Sequence, residues 1–324
     1  MVGGEGGAVK TNILLRQRKR WKTCHRPESI GPLIRSSLYS AMSKIRTAAI
    51  AAFLFALPLQ AQVRRGSLVV WIVSKRADYV VIGAESRTLD KTGRPIDDRS
   101  CKIISLGGDT LFLETGAAEI GVYHGKPWNS KAVARTVYTS TQNRDALRLS
   151  NAWGARALRW FGQQPEQDLR ALAYGSGGDL VTGAFITFDR SGKPSSETME
   201  ISYNTAKHSL TSQPSTQTPG QIGMTGVGLD LAKEFFAGRT ERAVRAFGPV
   251  GVLRSTAIDS MEDVRNVQKA IKFAIDNSVG EEKAFLGGDI DVAIIRKDRT
   301  IEWVARKSMC SQQDLKPTPL LKKK

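Results

Sequence analysis

An α+β fold, with antiparallel strands segregated from helices and sheets covered by helices on the outside, is predicted by three features of this 324-residue chain. Apolar β-branched runs are joined by short polar turns. Segments in the middle and in the last third carry apolar residues at helical spacing. The order along the chain is four strands, helices, two strands, helices, two strands.

The first strands are read from SLVVWIVS, beginning at Ser67, and DYVVIGAESR, joined by the polar turn Lys75 to Asp78. Continuous rather than alternating apolar character predicts a hairpin buried on both faces. A polar loop follows from Thr88 to Ser100, after which CKIISLGGDTLFLETG repeats the pattern around Gly107, Gly108 and Asp109. Helices are expected over Ala132 to Thr139 and Asp145 to Gly162, where Leu149, Trp153, Leu158 and Phe161 recur at roughly helical spacing before Pro165 interrupts. DLVTGAFITFDRSG and SSETMEISYN read as a strand pair around Ser191 to Pro194, and Ser209 to Gly220, rich in Ser, Thr, Gln and Pro, reads as a loop. Ser260 and Asp263 fit a capping box ahead of the stripe Val264, Val267, Ile271 and Ala274. GGDIDVAIIRKDRTIEWVARK closes the domain with two strands around Lys297 to Arg299.

Composition narrows the function. The chain is 41% hydrophobic and 24% charged, which suits a globular protein rather than a disordered one. Its net charge of +17 is concentrated at the ends: residues 1–65 hold 12 Lys+Arg against 2 Asp+Glu, residues 312–324 hold 4 against 1, and +4 remains for the body. That body lacks the one-sided basic excess phosphate binding requires, so nucleic acid is not an expected partner. Three cysteines and three histidines are too few and scattered for a structural zinc site, and neither a metal nor a cofactor is expected.

From Met42 the chain reads MSKIRTAAIAAFLFALPLQAQ, a short basic start followed by an apolar run from Ala48 to Leu59. This is the layout of a signal peptide over residues 42–61, and it predicts export to the periplasm or the exterior. The run is about 12 residues, short of the roughly 20 of a stable span, so no membrane anchor is expected. Residues 1–41 are then an over-extended start or a basic arm, 62–66 a short propeptide-like segment, 67–308 the folded domain, and 309–324 a basic tail. Export would permit a disulfide between Cys101 and Cys310, which spacing alone does not establish.

VVIGAESR, CKI, TGAAE and LGGDIDVAIIRKDRTIEWV, in that order, resemble the proteasome-type branch of the N-terminal-nucleophile (Ntn) hydrolases, from about Gly66 to Lys307. The resemblance implies a four-layer αββα sandwich and cleavage of peptide or amide bonds. It also implies that the nucleophile is freed as a chain terminus by autocleavage after a glycine. A hydroxyl is a poor nucleophile near neutral pH, and a free α-amino group with a pKa near 8 can serve as its general base. Ser67, after Gly66, matches the nucleophile; Glu85, before Ser86 and Arg87, the family acid; and Lys102 the family lysine. Gly116 matches the glycine whose N–H helps bind the oxyanion.

The chain departs from the family pattern in several places. Ser replaces the usual Thr, Glu replaces Asp, and Lys283 and Leu286 stand ahead of Gly287 and Gly288 where the family keeps a supporting Asp and Ser. Thr225 of MTGVG stands where a supporting Ser is kept. Each site residue also has a plain reading: a strand-opening serine, a buried ion pair of Glu85 with Lys102, and a turn glycine. Two functions therefore stand side by side, an exported hydrolase and a non-catalytic scaffold or ring subunit of the same fold, with a small-molecule amidase as a third. A homo-oligomer is compatible with the resemblance.

Overall fold

The computed structural model describes residues 63–64, 67–89, 94–121, 127–142, 144–173, 178–237, 255, 257 and 259–316, all within one compact unit spanning Gln60–Lys324. The expected signal peptide, Gly66 and the last eight residues lie outside them. Among the described residues no helix is long and apolar enough to cross a membrane.

The fold is α+β, built on two five-stranded antiparallel sheets. The first has the order β13-β2-β3-β14-β15, from Ile222–Gly226, Leu68–Val73, Tyr79–Ala84, Asp291–Arg296 and Ile301–Ala305. The second has the order β12-β11-β10-β7-β6, from Ser209–Gln217, Pro194–Asn204, Asp179–Phe188, Thr110–Gly116 and Ile103–Leu106. Two small additions flank them: β4 with β5 (Thr88–Leu89, Pro95–Asp97), and a three-stranded piece in which β8 (Glu119–Ile120) lies between β1 (Val63–Arg64) and β9 (Trp128–Asn129).

Two apolar clusters explain why β2 and β3 are buried on both faces. Alternate side chains of a strand point to opposite sides. Val69, Trp71 and Val73 join Ile103, Leu111, Leu113 and Ile186 of the other sheet, while Leu68, Val70 and Ile72 pack on the helix stripe Val264, Val267, Ile271 and Ala274. A third cluster places Phe112, Phe185 and Ile201 against the helices α1 (Ser130–Ser140), α2 (Ala146–Phe161) and α3 (Glu166–Ala173). Trp128 packs there edge-on against Trp153 and tilted against Phe161, with ring centroids 6.0 and 5.5 Å away.

Caps set the helix starts. Asn129 accepts from Ala132 N at α1 and Asp145 from Arg148 N at α2. The helices of the last third are α4 (Leu229–Phe236), α5 (Ser260–Asn277) and α6 (Glu281–Phe285). At α5 the cap is Asp259, which accepts from Glu262 N, and not the Ser260–Asp263 box the sequence suggests. Asp263 is instead buried and accepts from Tyr79 Oη (2.9 Å) and Ser255 Oγ (2.6 Å), fastening α5 to β3.

The middle of the chain holds four strands where two are expected. Ser209–Gln217 is a strand, β12, paired with β11 from Asn204↔Ser209 to Ser196↔Gln217. It has no apolar alternation because it is an exposed edge, where Pro214 is tolerated. Ile222–Gly226 pairs with β2 and brings Thr225 opposite Val69.

Residues 308–313 form a 3₁₀ helix, and a disulfide joins Cys310 to Cys101 with Cα atoms 5.5 Å apart. Leu315 then makes a parallel bridge to Leu106: Leu315 N donates to Ser105 O (2.9 Å) and Gly107 N to Leu315 O (2.8 Å). The chain leaving β15 therefore crosses from the first sheet to the outer edge of the second.

Candidate active site

Ser67 heads β2 in an unusual state. Its φ of +121° lies in a region that L residues rarely adopt, and its hydroxyl is fully buried with no hydrogen-bond partner. Its carbonyl accepts from Val227 N at 3.0 Å, and a Cβ on Gly226 would stand 1.8 Å from that oxygen. Gly226, at φ +105°, is thus required by the close approach of β13 to the first residue of β2.

Glu85 follows β3, the neighbour of β2, and is fully buried. Its Oε1 accepts from Leu68 N (3.0 Å), next to Ser67, while Oε2 accepts from Arg87 N (2.7 Å) and Gly287 N (3.2 Å). Burial pushes its pKa up to about 7, opposed by the charge of Lys102 and by those three N–H donors. Such a carboxyl holds a proton part of the time near neutral pH. Lys102, itself 1% exposed, immediately precedes β6 and is linked by the chain to the disulfide at Cys101.

Glu85 thus links the head of β2, next to Ser67, with the charge of Lys102, and Gly116 stands at the end of β7. Its φ is +80°, and a Cβ there would meet Leu180 O at 2.6 Å. Thr115, its neighbour, has Oγ1 at 3.1 Å from Thr225 Oγ1, so the ends of β7 and β13 meet across the sheets next to β2.

Sequence reasoning missed how the late helix-to-strand region supports the site. Lys283 and Leu286 act through their carbonyl groups, which accept from Arg87 Nη1 at 3.3 and 2.9 Å. Gly287 supplies the N–H to Glu85. Arg87 is further locked by Asp98 (Nε to Oδ1 2.7 Å, Nη2 to Oδ2 2.9 Å), which raises the guanidinium pKa and lowers that of Asp98. Backbone groups thus hold Arg87 and Glu85 here, and residue identity carries no signal for them.

A polar cavity of about 470 Å³ opens beside the disulfide, with Arg99, Glu119, Lys131, Arg135 and Gln313 in its wall. Among the described residues no group of His, Cys, Asp and Glu is arranged to hold a metal ion. No protein-family model matches the chain, and no curated protein matches it.

Proposed function

We propose that the chain is an exported amide hydrolase of the N-terminal-nucleophile type, acting on peptides through Ser67 once the Gly66–Ser67 bond is cleaved. The three apolar clusters support the corresponding four-layer αββα reading of the fold. One observation carries the proposal. A buried serine with an unpartnered hydroxyl sits at the head of a strand whose next N–H binds a buried carboxylate, Glu85, charge-coupled to a buried lysine.

In the cleaved chain the Ser67 hydroxyl gives its proton to the new α-amine as Oγ bonds to the substrate carbonyl carbon. The negative charge on the carbonyl oxygen is received by the N–H of Gly116. The proton passes to the leaving amine as the C–N bond breaks, and water then hydrolyses the ester. Lys102 and Glu85 fix the terminus and hold its charge balance. The Cys101–Cys310 disulfide suits an oxidising compartment and supports export.

A second reading, a non-catalytic protein of the same fold, is favoured by β1. Val63–Arg64 is built into a sheet with β8, so residues 63–64, ahead of Ser67, have a place in the folded chain. Intact mass, N-terminal sequencing and labelling with a hydroxyl-acylating β-lactone separate the two. The enzyme predicts a chain starting at Ser67 that takes one label, and no label in Ser67→Ala. A chain that keeps residues 63–66 and takes no label leaves the scaffold reading.

A further inference from the structure

We infer that Glu114 is a further positioning residue of the Ser67 site, acting through Lys102, with Lys131 as the cation that sets how strongly it acts. The inference rests on the hydrolase reading for its role in catalysis.

The register Ile103↔Leu113 places Lys102 opposite Glu114, and Glu114 N donates to Lys102 O at 3.2 Å. Residues directly opposite in an antiparallel pair share a face, with Cβ atoms about 5 Å apart. Glu114 is 3% exposed, Lys131 Nζ from the first turn of α1 lies 2.9 Å from its Oε1, and its Oε2 has no hydrogen bond. The groups bearing on this pocket include Glu85 and Arg87 from the end of β3, Lys102 before β6, Glu114 on β7 and Lys131 on α1, and Lys131 also shares the wall of the polar cavity with Asp97, Arg99, Glu119, Arg135 and Asp314.

Buried charges are tolerated only when compensated. Arg87 is already matched by Asp98. Glu85, Lys102, Glu114 and Lys131 follow one another with alternating sign. Glu114 supplies a second anion opposite Lys102, so that Lys102 keeps an anionic neighbour when Glu85 takes up a proton. Lys131 draws part of the charge of Glu114 away from Lys102.

The test is a titration of the full chain labelled with ¹³C at glutamate Cδ, with the Glu85 signal assigned by its loss in Glu85→Gln. Glu114→Gln removes a negative charge and leaves Lys102 to Glu85 alone, so the Glu85 midpoint falls by about half a unit or more. Lys131→Gln frees Glu114 for Lys102, and the midpoint rises by a similar amount. Opposite shifts support the inference; no shift, or two shifts of the same sign, overturns it. A pair that only fastens α1 to β7 would lower Tm in both variants without moving Glu85. If Glu114→Gln does not fold, the sign of the Lys131→Gln shift decides. In a chain labelled by β-lactone, the half-maximal pH of labelling moves with the Glu85 midpoint. Opposite shifts without labelling sink the hydrolase reading alone, and labelling without opposite shifts sinks this inference alone.

Discussion

Replacing both Cys101 and Cys310 by alanine opens a covalent loop with a sequence separation of 209 residues. Loop-closure entropy for that length corresponds to about 5 kcal/mol at 25 °C, the upper end of what a disulfide contributes. The strap keeps other fastenings: Lys307 with Asp291, Arg306 Nη2 with Asp314 Oδ1 (2.7 Å), and the Leu315 bridge. These hold the native arrangement without the bond, so the variant folds with a stability lowered by about 2–5 kcal/mol and a Tm lowered by roughly 5–15 °C. Urea unfolding without reductant measures the difference, and mass spectrometry after alkylation in denaturant checks its cause. Cys101 and Cys310 take up label only after a thiol reductant is added. Labelling of both before reduction, or a stability difference under about 1 kcal/mol, refutes the reasoning.

Gly226→Ala forces a Cβ toward Ser67 O and a side chain into φ +105°, and should cost more than about 3 kcal/mol in urea unfolding together with any Ser67 reactivity. Tyr79→Phe leaves Asp263 with Ser255 as its remaining side-chain donor and should cost about 1–3 kcal/mol, read as a lower urea midpoint at unchanged m-value. Glu85 has a folded-state pKa raised from 4.5 to about 7, so the folded chain binds its proton more tightly than the unfolded chain. That penalty is absent below pH 4.5, accrues as pH rises to 7, and is complete above it, on the order of 3 kcal/mol. Glu85→Gln forgoes one acceptor at every pH, yet relative to wild type it should gain stability between pH 4.5 and 7.5; a pH-independent difference would contradict the raised pKa.

Much of the sheet framework was legible because burial on both faces leaves an unbroken apolar run, as in LVVWIV and VAII. The stripe of α5 was legible through its helical spacing. β12 was not: an exposed edge strand needs no apolar residue, and SLTSQPSTQ has the composition of a loop. The α5 cap was displaced because Asp263 had a buried use that local sequence does not reveal. Within the site, residue types mark Ser67, Glu85 and Lys102 as candidates. The left-handed backbone of Ser67, the N–H of Gly287 and the Glu114–Lys131 pair arise from contacts distant in sequence. The disulfide depended on the strap returning Cys310 to the start of β6, which spacing does not encode.

The two outer edges of the second sheet are finished differently, and both finishes bear on aggregation. At β6 the ladder is closed by the Leu315 bridge. At β12 the edge is exposed, lined by Ser, Thr and Gln, and interrupted by Pro214, which has no N–H to offer an incoming strand. A second copy of the sheet therefore finds no long apolar template on either side. Pro214→Val would restore a donor and β propensity to that edge, exchanging a soluble border for a site of strand-to-strand growth.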